Sequence, residues 1–246
     1  VLFHDYTLNT NMVKDKNGNW IDNFDLKIMD LTYDQISNYS IESLKPGSGY
    51  SDRFKNQKSV EGAKIPKLID LFKLANKENY KDVFLNLEVK SNPDLKDVTP
   101  EPKEMVATIL KDIKDYNLED RIVVTSFDWR ILYELKKQNP NVLRGFLTLQ
   151  QNLGSTKKNI YENSPWINKT FSLEELFLLP NIIKSIEGHV WSAFYRDITK
   201  QNVELAHKQG LAVNVWTVNR EQDIIRMIEY GVDGIITDYP KKVQEI

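Results

Sequence analysis

From about residue 66 onward, hydrophobic and polar positions follow two alternating periods. Stretches with apolar residues three and four apart, the spacing of one helix face, give way to a short polar break and then to a compact β-branched or aromatic run. The compact runs are VFLNLEVK (83–90), RIVVTSF (121–127), VLRGFLT (142–148), GHVWSAF (188–194), LAVNVWTVN (211–219) and VDGIITDYP (232–240), which predict six strands. The segments of helical period are PKLIDLFKLANKE, EPKEMVATILKDIKDY, DWRILYELKKQ, LEELFLLPNIIKSI with a proline break, TKQNVELAHKQG and REQDIIRMIEYG. Gly210 and Gly231 stand where helix C-caps are expected, and Thr199 and Asn219 where N-caps are.

Strands alternating with helices imply parallel βα units, whose covered strands are close to continuous in apolar residues, as IVV and GII are. An open doubly wound sheet and a closed barrel both fit this count. The polar residues at the strand ends choose between them. Glu88 and Lys90, Ser126, Thr148, Ser192, Trp216 with Asn219, and Asp238 all lie at C-terminal tips. In a βα barrel those tips converge on one mouth. An open sheet usually carries a glycine-rich first turn, and neither GxGxxG nor GxxxxGK[ST] occurs. The expected fold class is therefore α/β, a (β/α)8 TIM barrel whose first two strands are not in this sequence.

Residues 6–65 break the pattern. NTNMVKDKNGNWIDN and KPGSGYSDRFKNQKSVEGAK are rich in Asn, Lys, Gly and Ser, with one short helical stretch, LTYDQISNYS, between them. So long a segment without βα syntax points to an insertion arm over the barrel mouth. The expected organisation is a hairpin arm and insertion or cap region over 1–65 and barrel strands three to eight over 66–246, together one structural domain. The opening VLFHD has the look of a strand, and a strand needs a neighbour for its backbone hydrogen bonds. It is expected to be the returning arm of a hairpin whose outgoing arm lies upstream.

Composition narrows the chemistry. Lys plus Arg number 33 against 35 Asp plus Glu, a formal charge of -2, so neither a nucleic acid nor an anionic membrane is indicated as the main partner. The absence of cysteine excludes disulfides, thiolate metal sites and a cysteine nucleophile. No run reaches the roughly 20 apolar residues of an integral membrane segment. Compartment, cytoplasmic or exported, is not legible, and a homo-oligomer is left open.

Of the three histidines, His207 on an amphipathic helix and His189 at the N-terminal end of a strand read as structural. His4 differs, because it ends its run and is followed by Asp5 and a polar loop; it reads either as a proton carrier or as a capping or exposed loop residue. Glu88 lies in the otherwise apolar LNLEVKS, two residues from Lys90 and on the same side of the strand. The pair is either a structural salt bridge or a metal-ligating carboxylate beside a phosphate-binding ammonium. Trp216 reads as core or as a substrate wall, and Asp238, before Tyr239-Pro240, as a cap or a catalytic acid.

Taken in order, FHD, IPKLIDLF, LEVK, TSFDW, VWTVN and GVDGIITDYP resemble the glycerophosphodiester phosphodiesterase family over the whole chain. The long arm with LTYDQI, KPGSGY and EGAKIP, with SPWINK and VWSAFYRD, is similar to a bacterial branch with an enlarged insertion. The resemblance implies a (β/α)8 barrel that hydrolyses a small-molecule glycerophosphodiester to glycerol 3-phosphate and an alcohol, within lipid and glycerol metabolism, using Ca²⁺ or Mg²⁺. It implies that His4 is one of an acid/base pair, Glu88 a metal carboxylate, Lys90 a phosphate-binding lysine and Trp216 a wall of the substrate pocket. It gives Phe127 no role. The family's first strand with His-Arg-Gly and its Glu-x-Asp pair are absent, so a partner histidine, an arginine and two carboxylates are expected in roughly 45 to 55 upstream residues. The alternatives are a phospholipase-type phosphodiesterase on the same barrel and a catalytically silent binding protein lacking its first two strands.

Overall fold

The computed structural model describes residues 1–154 and 156–246. Six strands appear where the compact runs predict them: β1 Leu85–Glu88, β2 Ile122–Ser126, β3 Leu143–Thr148, β4 Val190–Phe194, β5 Ala212–Trp216 and β6 Gly234–Ile235. They pair in parallel in sequence order, and the sheet curls into a half-barrel with β1 and β6 at its edges. All six therefore end at the same rim. Among the described residues the helices are α1 Tyr33–Ile36, α2 Gly49–Arg53, α3 Leu68–Ala75, α4 Pro102–Asp115, α5 Trp129–Gln138, α6 Leu173–Leu176, α7 Leu179–Ser185, α8 Lys200–Lys208, α9 Glu221–Tyr230 and α10 Pro240–Gln244. None of them is long and apolar enough to cross a membrane.

The two faces of the sheet differ in chemistry because side chains alternate along each strand. The outward set, including Leu87, Val124, Phe146, Trp191, Val213 and Val215, joins Val106 and Ile113 of α4 and Trp129, Leu132 and Leu135 of α5 in one large apolar core. Trp129 meets Phe146 edge to face at 5.0 Å between ring centroids. The inward set runs in register through Glu88, Thr125 and Gly145, and through Ser192, Asn214 and Gly234. Polar and very small residues, with Val123, Leu147 and Val190 among them, thus line the concave face. Ser192 is fully buried there, and its Oγ has no hydrogen-bond partner among the described residues.

Helix ends follow local chemistry. Thr199 caps α8 through a capping box with Asn202, and Gly231 closes α9 in the left-handed region at φ 77°. The break between α6 and α7 falls at Phe177 and Leu178, with Pro180 inside the first turn of α7, where its missing N–H costs nothing. Asn219 departs from expectation: Arg220 holds the N-cap position of α9. The Asn219 side chain is committed elsewhere, accepting from the Asp238 amide at 2.9 Å and from Thr237 Oγ1 at 3.0 Å. Asp238 likewise caps nothing, since Tyr239 takes the N-cap position of α10.

Residues 1–5 form no strand. Leu2 N–H donates to the Pro66 carbonyl at 2.9 Å, and among the described residues no strand runs alongside to build a ladder. Beyond them lies a second, separate core of Leu8, Val13, Ile21, Ile36 and Ile65. Isolated antiparallel bridges, Thr7 with Lys27 and Lys14 with both Trp20 and Ser40, stitch this region together.

Gly145 is required by close approach and not by its backbone angle. A Cβ there would collide with the Thr125 side chain on the inner face. Gly145→Ala is expected to lower the free energy of unfolding by about 1–3 kcal/mol, read from urea denaturation; an unchanged midpoint would mean that Thr125 gives way freely.

Candidate active site

The end of β1 carries the charged centre. Strand alternation sends Glu88 and Lys90 to the same side, and Lys90 Nζ sits 2.6 Å from Glu88 Oε1. The same ammonium lies 3.2 Å from His4 Nε2 and 5.7 Å from the centroid of the Phe127 ring. Phe127 in turn meets Trp216 edge to face at 5.1 Å, and Trp216 contacts Phe194 at 5.2 Å. His4, Glu88, Lys90 and Trp216, expected from separate stretches of sequence, are thus joined in one contiguous cluster at the strand ends.

The two partners of the His4 ring assign its tautomer. An ammonium is a donor only, so Nε2 presents its lone pair to Lys90. Nδ1 then carries the proton and donates to Asp5 Oδ1 at 2.7 Å. The other oxygen, Asp5 Oδ2, accepts from Asn9 Nδ2 at 2.6 Å. These bonds, that from His4 first, hold the Asp5 carboxyl below its ordinary range against the opposing effect of burial; Lys90 adds to them.

Beneath the cluster lies a buried network. Asp128, fully buried, caps α5 by accepting from the Arg130 amide and forms an ion pair with the Arg130 guanidinium at 2.7 Å. Ser91 Oγ donates to Asp128 Oδ2 at 2.5 Å, and the Ser91 carbonyl accepts from Tyr6 Oη at 3.1 Å. Burial, with Glu88 and Asp128 nearby, pushes the Tyr6 hydroxyl up to about 12. Residues 4–9 are therefore fastened to the tip of β1 twice, through Lys90 and through Ser91. Beside β1 a cavity of about 660 Å³ has Asp5, Glu88 and Lys90 in its wall and apolar residues of α3 and α4 opposite.

Across the rim, Arg53 Nη2 on α2 reaches Asp238 Oδ2 at 2.9 Å, and Asn219 Nδ2 shares that oxygen at 2.7 Å. Two further polar tips, Thr148 and Ser126, serve structure. Thr148 Oγ1 accepts from the Trp191 indole, and Ser126 Oγ donates to the Val89 carbonyl. His189 lies at the opposite end of the sheet, its Nδ1 accepting from the Arg144 amide at 3.2 Å, and His207 pairs with Asp233 at 2.9 Å. Asn9, Phe127 and Arg53 have no role in the sequence reading. Asn9 alone left a local trace, four residues beyond Asp5; the other two contacts span long separations.

For a hard divalent cation, which takes six or more oxygen ligands, the donor set is too small. No group of three His, Asp or Glu side chains among the described residues stands together in a way that would hold a metal. At the strand ends Glu88 is paired with Lys90, and Asp238 with Arg53.

Sequence comparison finds that the Glycerophosphoryl diester phosphodiesterase family matches residues 1–242. A glycerophosphodiester phosphodiesterase of Caldanaerobacter subterraneus is 30% identical over 209 residues, covering 84% of this chain and 70% of its own. A crystal structure assigned as a glycerophosphoryl diester phosphodiesterase from Silicibacter pomeroyi superimposes with a TM-score of 0.82 at 32% identity, covering 99% of this chain and 76% of its own. An Oleispira antarctica phosphodiesterase in complex with the product sn-glycerol-3-phosphate shares the fold, with a TM-score of 0.66 at 19% identity, over 99% of this chain and 77% of its own.

The depressed Asp5 carboxyl gives a signed prediction. A carboxylate with a lowered folded-state pKa adds stability above its unfolded value of about 4, and that stability is lost as pH falls through the folded value. The difference in urea midpoint between the wild type and Asp5→Ala is expected to be largest near neutrality and to shrink below about pH 4. A pH-independent difference would exclude this linkage.

Proposed function

The chain belongs to the glycerophosphoryl diester phosphodiesterase family, and from that premise we propose that it hydrolyses glycerophosphodiesters to glycerol 3-phosphate and an alcohol, with His4 carrying a proton in the reaction. The observation that carries the proposal is the Lys90 ammonium, held between Glu88 and His4 Nε2 at the strand ends. An arriving phosphodiester supplies the anion for which that ammonium is suited, and replaces the imidazole lone pair as its partner. The product named for the Oleispira relative agrees with glycerol 3-phosphate as one product here.

In the hydrolysis, a P–O bond forms from water and the P–O bond to the alcohol breaks. The water loses one proton and the leaving alkoxide gains one. His4 Nε2 carries a lone pair in the present tautomer, the form that accepts a proton from an attacking oxygen. One proton later it is the form that protonates an alkoxide. Lys90 neutralises phosphate charge throughout, and the faces of Phe127 and Trp216 wall the alcohol side.

Glu88 is the carboxylate that the family resemblance assigns to the Ca²⁺ or Mg²⁺ it implies. The described residues alone do not complete a cation site. We also read residues 1–65 as a cap on the barrel, supported by the Arg53 to Asp238 contact across the rim.

His4→Ala is expected to lower kcat for glycerophosphocholine by at least about 100-fold. Trp216→Ala should raise KM several-fold and spare more of kcat, because it removes a wall and no proton carrier. Steady-state kinetics on the full chain decide both, and wild-type turnover in His4→Ala would refute the role of His4.

A further inference from the structure

His4 is the most exposed member of the cluster, with 76% of its side chain open to solvent, so packing alone does not fix its ring. Turning the ring over would put carbon in place of both nitrogens, Cδ2 facing Asp5 and Cε1 facing Lys90, and moving the proton to Nε2 would point a donor at the Lys90 ammonium. Two donors, Lys90 and whatever holds Asp5, must decide the orientation. We propose that Asn9 is a positioning residue that acts through Asp5 to hold the proton of His4 on Nδ1 and keep an unprotonated Nε2 turned to the strand ends. This rests on the reading of His4 as the proton carrier.

The amide of Asn9 is itself set by local structure. Its Oδ1 accepts from the Asn11 amide at 2.9 Å, an Asx turn, which leaves Nδ2 to face Asp5. The backbone is equally fixed: the Asn9 carbonyl accepts from Met12 at 3.1 Å and Val13 at 2.9 Å, and both Leu8 and Val13 are buried in the small second core. The sequence of contacts runs from that core to Asn9, to Asp5 Oδ2, across the carboxylate to Oδ1, and on to His4 Nδ1. Among the described residues Asp5 is the side-chain partner of Nδ1, and Asn9 is what stops the Asp5 carboxylate from rotating away. Replacing the amide by a carboxylate would place two negative groups 2.6 Å apart and reverse the effect.

Asn9→Ala, Asn9→Asp, His4→Ala and the double variant Asn9→Ala with His4→Ala, all in the full chain, separate this from a structural role. Asn9→Ala is expected to lower kcat for glycerophosphocholine about tenfold with KM within about twofold, and Asn9→Asp to lower it further. In the His4→Ala background Asn9→Ala should have no additional effect, because the residue it positions is gone. Nitrogen NMR of the imidazole should show one tautomer, protonated at Nδ1, in the wild type and a mixture in Asn9→Ala. If Asn9→Ala does not fold, Asn9→Ser preserves a turn-forming oxygen yet is too short to reach Asp5, and the same results are expected of it. The proposal is overturned by wild-type kcat with an unchanged tautomer, or by an equal loss in both backgrounds. Full turnover in His4→Ala sinks the reading of His4 instead, and the NMR result then still reports on Asn9.

Discussion

A carboxylate with no exposure to water has to be answered by donors, and Asp128 is that carboxylate. Its donors come from three places: the first turn of α5, the Arg130 guanidinium and the Ser91 hydroxyl just past β1. Satisfying one buried charge therefore locks the exit of β1 to the start of α5. Ser91 extends the lock, since its carbonyl takes the Tyr6 hydroxyl. Lys90 precedes Ser91 in the chain and His4 lies two residues before Tyr6, so the contact between them is a consequence of the network beneath.

The ammonium of Lys90 is shared and not consumed. Glu88 and His4 each take one direction, and the Phe127 face lies on a third. At 23% exposure it is shielded enough to strengthen its field and open enough to admit an anion. The polar inner face of the sheet continues below, through Thr125, Ser192 and Asn214, while the apolar outer face holds the helices. Stability and chemistry are thereby assigned to opposite sides of the same strands.

Much of this was legible because it is local. Periodicity located all six strands, and Thr199 and Gly231 mark helix ends through interactions within a few residues. Strand alternation alone put Glu88 and Lys90 on one side. The opening VLFHD builds no ladder among the described residues, where the Leu2 amide donates to the Pro66 carbonyl. Asn219 misled because a capping residue type was claimed by a partner 19 positions away, Asp238. The second core was hidden for a related reason: Leu8, Val13, Ile21, Ile36 and Ile65 follow neither period, and only irregular loops bring them together.

That irregular region is tied to the sheet. A loop merely laid on the sheet could shift without consequence for groups on the strands. Residues 4–9 instead hang between two fixed bodies, anchored to the small core at Leu8 and Val13 and to β1 through Tyr6 and Lys90. On the far side α2 crosses to the end of β6 through Arg53 and Asp238. An imidazole largely open to solvent acquires a defined direction only from such a frame, since fixing a side chain against its own rotational entropy requires partners that are themselves fixed. Residues 4–9 thus link the small core to the end of β1, and the His4 contact with Lys90 lies between those two anchors.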